Sequence, residues 1–328
     1  MSVDQISTSK ADRCARVLFV HGVGGDAQET WQQKGDSTTF WPKWIGDELA
    51  GLDVYSASYD ASPTRWFGSA MPISDVATEI LGDLEAGGFG RHPLVLVGHS
   101  LGGLLIKEML RIAHTCKRTQ WNTIVKNTRG VVFIATPHNG SQLADYATKL
   151  GKLFNASVAT KELTTTAEQI KQLRDWYRET IPGLNIDTYA FYERHLTNGF
   201  HVVPEASADP SMPPVRTIGV NADHFQICKP LNRKINVYAN TKHFIERIIP
   251  ELGSEFADQK FAPQNRTEQV VVELPPTALD ALYDIQEKLQ TRSQSEVIRR
   301  ALHLYALCVN EKVQVVSREG ESRVVIDV

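Results

Sequence analysis

The chain has 328 residues, 42% of them apolar and 22% charged, with a formal net charge of −3 and a pI near 6.4. That suffices for one full-sized catalytic core plus a small appended module, and the charge balance gives no general attraction to nucleic acid or an anionic membrane. The four cysteines, Cys14, Cys116, Cys228 and Cys308, form no CxxC pair and no Cys/His metal spacing, which excludes a disulfide scaffold and a zinc site and predicts free thiols, no metal and no cofactor.

The N-terminal residues, MSVDQISTSKADRCAR, are polar where a signal peptide needs an apolar run, and nowhere do 18 apolar residues follow one another. The expectation is a soluble, cytoplasmic protein with a flexible N-terminus over 1–15 and no transmembrane segment. Short apolar, β-rich runs then alternate with helical material: Val17 to Val20, Val54 to Tyr59, Leu94 to Val97, Val131 to Ala135, Thr188 to Tyr192 and Val215 to Val220. Each run is apolar at successive positions, the pattern of a parallel sheet covered by helices on both faces. The predicted fold class is α/β, spanning 16–253. Within it, the helical stretch from Ser141 to Asn185 is too long for an ordinary connection and reads as a lid over the carboxyl ends of the strands. Polar, irregular sequence over 254–268 reads as a linker, and 269–328 as a separate module.

The segment PLVLVGHSLGG, residues 93–103, sets Ser100 between glycines after an apolar strand and before an amphipathic helix. This is the setting of a nucleophile elbow, where Gly98 and Gly102 let strand and helix approach without side-chain clashes. On the helix Leu101, Leu104, Leu105, Met109, Ile112 and Ala113 recur at helical spacing, with Lys107, Glu108 and Arg111 between them. A serine hydroxyl needs a base, and its oxyanion needs N–H donors. The turn His21-Gly22-Val23-Gly24-Gly25 stands where the first strand ends, so Val23 N–H and Leu101 N–H are the expected oxyanion hole. The turn lacks the GxGxxG and GxxxxGK[ST] spacings of a phosphate cradle.

Among ten histidines, His224 follows the Val215 to Val220 strand in the order serine, acid, histidine, and is the expected base. His21 and His99 lie too close in sequence to the hole and the serine and read as buried supports. His138 precedes every candidate acid. The acid should leave the strand before that of the histidine, which favours Glu193 at the end of TYAFYE; Glu205 is the rival, with Asp187 and Asp209 behind.

The ordered set LFVHGVGGDAQETW, SASYDASPTRWFG, LVGHSLGG, GVVFIATPHNGS, FYE, VVPEASA and NADHFQICKP resembles the serine-active-site-containing α/β hydrolases, lipase-like proteins related to the GPI inositol-deacylase group. The resemblance covers roughly residues 16 to 250. It implies an esterase or lipase-type activity, carries over Ser100 and His224, and favours Glu193 from the FYE position. Many such lipases have an aspartate just before the Val-Pro element, where this chain has Phe200 and His201. Aromatic and aliphatic residues of the lid, Phe154, Trp176 and Tyr177, serve either to cover an acyl chain or as ordinary core, and Trp66, Phe67 and Met71 are open to the same two readings. Lipid-like esters are the leading substrate class, and an acyltransferase using the same serine stands beside hydrolysis.

Residues 270–311, from VVVELPP to CVNE, resemble the ribbon-helix-helix fold, which implies dimerisation through a paired strand and raises DNA as a partner. The outward strand positions, Gln269, Val271 and Glu273, carry no cation, and from Thr267 onward seven Lys/Arg face ten Asp/Glu. That opposes phosphate binding, so a homodimer is expected and DNA is disfavoured. A DNA-binding regulator whose hydrolase domain senses a ligand is the competing function. The tail from Val313 reads as a hairpin turning at Glu319-Gly320.

Overall fold

A computed structural model describes residues 1–9, 15–63, 66, 73–140, 143–155, 160–212, 215–249, 313–316 and 323–326. The chain divides into two units, Met1–Phe261 and Ala262–Val328.

The first unit is built in the order β1 (Ser2–Ser7), β2 (Ala15–Val20), α1 (Trp41–Glu48), β3 (Leu52–Ser58), α2 (Ile73–Ala86), β4 (Leu94–His99), α3 (Leu101–Thr115), α4 (Thr119–Asn127) and β5 (Thr128–Ile134). It continues with α5 (Leu143–Phe154), α6 (Thr160–Thr180), β6 (Asp187–Glu193), α7 (Glu205–Ala208), β7 (Thr217–Val220) and α8 (Asn236–Ile248). Seven strands form one sheet in the order β1-β3-β2-β4-β5-β6-β7, with every neighbouring pair parallel except β1 on β3. The central strands β2, β4 and β5 are buried almost throughout, which is why their sequences are apolar at consecutive positions.

From β2 the chain goes to one side, to β3, and then returns past β2 to β4. The connections after β2 and β4 therefore diverge, and the crevice at their carboxyl ends is where an open α/β sheet builds its site. His21-Gly22 leaves β2 and Ser100 leaves β4 at this point.

One expectation needs correction. Residues Ser2–Ser7 are not a flexible lead but an edge strand, paired from Ser2 with Ser58 to Ser7 with Val54. Val3 and Ile6 both pack against the core, although a spacing of three does not fit an alternating strand. The register shift between Gln5 and Ser7 brings both to one side. On α3, Lys107 and Glu108, which fall between the apolar positions, are themselves buried, because α6 covers the helix face that the sheet leaves free. Among the described residues the Lys107 nitrogen has no hydrogen-bond partner, and it lies over the rings of Tyr177 and Phe133, at 4.6 and 5.3 Å from their centroids.

In the second unit β8 (Val313–Val316) and β9 (Arg323–Ile326) pair antiparallel on either side of Glu319-Gly320. The ribbon-helix-helix stretch lies outside the described residues, as do Cys14, Cys308, Phe67 and Met71. Trp66 is fully buried core. No helix among the described residues is long and apolar enough to cross a membrane.

Candidate active site

Ser100 sits between β4 and α3 with φ 55° and ψ −124°, a conformation L-residues avoid. The strain is held by close backbone packing. The Ser100 N–H donates to Ile134 O at 2.8 Å. A Cβ on Gly102 would stand 2.1 Å from Val20 O, one on Gly98 2.7 Å from Gly103 Cα, and one on Gly22 2.7 Å from Ser100 Cβ. Three glycines thus press the two loops together around the serine. Gly102→Ala is expected to cost about 1–3 kcal/mol through overpacking against immobile backbone, with a matching fall in the urea midpoint; an unchanged midpoint would show that the elbow has room to spare.

The Ser100 hydroxyl lies 2.9 Å from His224 Nε2, and His224 Nδ1 lies 2.6 Å from Glu193 Oε2. All three side chains are buried; Ser100 is 2% and His224 1% exposed. The carboxylate fixes the tautomer: Nδ1–H donates to Glu193, which leaves Nε2 to accept from Ser100. The other carboxylate oxygen of Glu193 accepts the backbone N–H groups of Val202 and Val203 at 2.6 and 3.0 Å. The Val-Val-Pro element therefore caps the Glu193 carboxylate through its backbone. Glu205 opens the short helix α7, exposed to solvent, and makes no hydrogen bond to His224.

His224 is fixed by two further contacts. Its N–H donates to Thr197 Oγ1 at 3.0 Å, and its carbonyl lies 2.9 Å from His99 Nε2. Burial, and next the proximity of His224, hold His99 well below the usual histidine range, so its neutral ring donates to that carbonyl. His21 is likewise kept neutral, with burial lowering it to about 4. Its ring stacks on Tyr59 at 4.1 Å, and the Tyr59 hydroxyl donates to the His21 carbonyl. Both histidines are thus buried braces of the two loops. His138 is buried against Phe133.

Val23 follows Gly22 directly and Leu101 follows Ser100, and among the described residues neither N–H donates to a protein acceptor. Next to the glycine turn is a cavity of about 300 Å³, lined among others by Val23, Gly24, Phe154, Phe225, Cys228 and Lys229. Phe154, at the end of α5, reaches over the turn; a Cβ on Gly24 would stand 2.4 Å from its ring. It meets Phe225 edge-on at 5.8 Å. Trp176 packs partly exposed against the core, while Tyr177 is fully buried and hydrogen-bonded to Thr188. The insertion therefore divides its aromatics between core and cavity.

One contact at the serine has no counterpart in the sequence reading. Tyr146, on α5, is buried with its hydroxyl 2.9 Å from Ser100 Oγ. In the sequence it is one apolar position of a helical pattern, and only its helical phase, facing inward with Leu150, could have pointed to it. Thr197 and the Val202 and Val203 amides were equally unread.

A mostly parallel sheet with a serine elbow at its switch point defines an α/β hydrolase. Residues 17–273 match the model of the alpha/beta hydrolase family, and the chain belongs to it. It is 36% identical over 255 residues to protein SERAC1 of Bos taurus, a match covering 70% of this chain and 38% of that protein. With the Homo sapiens protein SERAC1 it shares 34% over 259 residues, covering 72% and 39%. The chain thus spans about two fifths of the length of these curated relatives. Among solved structures it is similar to the Bacillus licheniformis lipase BlEst2 in mature form, with TM-score 0.48 and 19% identity over 76% of this chain and 97% of that one.

Proposed function

We propose that this α/β hydrolase is a serine esterase that cleaves carboxylic esters through an acyl-enzyme on Ser100, with His224 as general base and Glu193 as the acid. The observation that carries the reading is the continuous hydrogen-bond line from Ser100 Oγ through both ring nitrogens of His224 to a carboxylate capped by two amides. In the first step Oγ attacks the ester carbon as its proton passes to Nε2, and the carbonyl oxygen becomes an oxyanion facing the N–H groups of Val23 and Leu101. The C–O bond then breaks and Nε2–H protonates the leaving alcohol. Water repeats the sequence on the acyl-enzyme, activated by the same histidine. Glu193 holds the tautomer and stabilises the imidazolium without itself taking the proton.

Lipid-like acyl esters are the substrate class we favour, because the cavity beside the glycine turn is roofed by Phe154 and Phe225 from two separate elements. Its volume of about 300 Å³ is at the small end for ligand sites, so short and medium acyl chains fit it as it stands. A fluorophosphonate probe followed by peptide mass mapping tests the nucleophile. The adduct is expected on Ser100 in the wild type and nowhere in Ser100→Ala; labelling of a different residue, or hydrolysis retained by the alanine variant, would remove Ser100 from the mechanism.

A further inference from the structure

We propose that Tyr146 donates a hydrogen bond to the leaving-group oxygen of an ester at Ser100, which makes it a determinant of oxygen-ester over thioester turnover. The inference rests on Ser100 being the nucleophile and begins with the proton count at its hydroxyl. Ser100 Oγ lies 2.9 Å from both His224 Nε2 and the Tyr146 hydroxyl. Because Nδ1–H of His224 faces Glu193, Nε2 has no proton of its own and takes the serine's. Tyr146 must then be the donor to Oγ. Burial raises the phenol above its ordinary range, so it keeps that proton through the reaction.

When Oγ bonds to the ester carbon it becomes a bridging oxygen and a poor acceptor. A buried O–H left without an acceptor is destabilising. The tetrahedral centre offers two other oxygens within reach of a group already one hydrogen bond from Oγ. The oxyanion faces the Val23 and Leu101 amides. The alkoxy oxygen faces His224, since Nε2–H must protonate it as the C–O bond breaks. This second oxygen is the one still short of donors, carrying negative charge as the bond lengthens. Tyr146 donates to it without transferring its proton, while the proton that leaves with the alcohol is the one Nε2 took from serine. A thioester has sulfur at this position, a weak acceptor, and gains nothing from the hydroxyl. Its carbonyl oxygen, by contrast, is the same as that of the oxygen ester.

The test compares Tyr146→Phe with wild type on an alkyl butyrate and the S-alkyl thiobutyrate with the same acyl and alkyl groups, reading kcat/KM, which reports acylation. The oxygen ester is expected to lose about 10²-fold, as for loss of one preorganised donor, and the thioester less than about threefold, since sulfur is a poor acceptor. Equal losses on both would assign Tyr146 to the carbonyl oxygen and overturn the proposal. Unchanged or raised rates on both would reduce the contact to a cover of the resting serine and overturn it as well. Fluorophosphonate labelling of both forms keeps the outcomes apart. An unlabelled wild type means that Ser100 is not the nucleophile, whereas labelled enzymes without the oxygen-over-sulfur contrast mean that only the Tyr146 assignment fails.

Discussion

Glu193→Gln is expected to lower ester turnover by about 10⁴-fold, the scale of losing the correct histidine tautomer in a serine triad, while Glu205→Gln leaves it within about twofold, as for an exposed surface carboxylate. The asymmetry comes from donor counting at Glu193. Its two oxygens accept from three N–H groups: Val202 and Val203 on one, His224 Nδ1 on the other. Glutamine has a single oxygen. If that oxygen faces the two valine amides, the NH₂ group faces Nδ1 and forces the imidazole proton onto Nε2, where it cannot accept from Ser100. If the amide is turned over, NH₂ confronts two backbone N–H groups and the Val-Val turn is pushed apart. Either orientation disables the base. Glu205, exposed at the head of a four-residue helix, imposes neither constraint. Steady-state kinetics on one ester decides the matter, and a larger loss at Glu205 would transfer the acid role to it.

Lys107→Met is expected to stabilise the fold, by on the order of 3 kcal/mol at pH 7. Burial lowers the Lys107 amine to about 7, with the Arg174 guanidinium as a smaller contribution, and its nitrogen has no hydrogen-bond partner among the described residues. The two aromatic rings it touches offset about 2 kcal/mol at most, less than the cost that a shift of this size expresses. Methionine has similar length and fills the same space without a charge. The sign of the pH dependence follows from linkage. Between about pH 7 and the ordinary lysine value near 10.5 the unfolded chain binds a proton that the folded chain does not, so the wild type gains stability as pH rises through that window. The advantage of the variant should therefore be largest at pH 7 and below and shrink towards pH 10. Urea unfolding of both forms at pH 7 and pH 10 measures it, and an advantage independent of pH would mean that Lys107 is charged in the fold or never buried.

The parts of the site that rest on local backbone geometry were legible from sequence. Gly98 and Gly102 are needed where a strand-to-helix turn is tightly packed, and their spacing around Ser100 reports that need directly, whereas the closeness of Gly22 to Ser100 is visible only in the fold. His224 and Glu193 could be placed because a parallel sheet presents its functional residues at strand ends in chain order. What escaped were contacts decided by packing between distant segments. Tyr146 meets Ser100 across 46 residues, and a tyrosine at an apolar helix position carries no local mark of a polar partner. The burial of Lys107 was not legible because the periodicity of α3 marks only the face on the sheet; a second covering layer, α6, is invisible in α3 itself. The N-terminal strand was missed because its register shift breaks the alternation that identifies strands. The absent aspartate before Val-Pro left the choice of acid open, since backbone amides as ligands of a carboxylate leave no signature in residue type.

That N-terminal strand has a consequence for the protein's behaviour in concentrated solution. Strand β3 is buried over nearly its whole length, and without β1 its outer row of N–H and C=O groups would be an open template for another chain. The strand that closes it is six residues long, polar, half-exposed and offset by a bulge, features that discourage a further strand from adding to the outside. A modest segment ahead of the first parallel strand thus guards this margin of the sheet against intermolecular pairing.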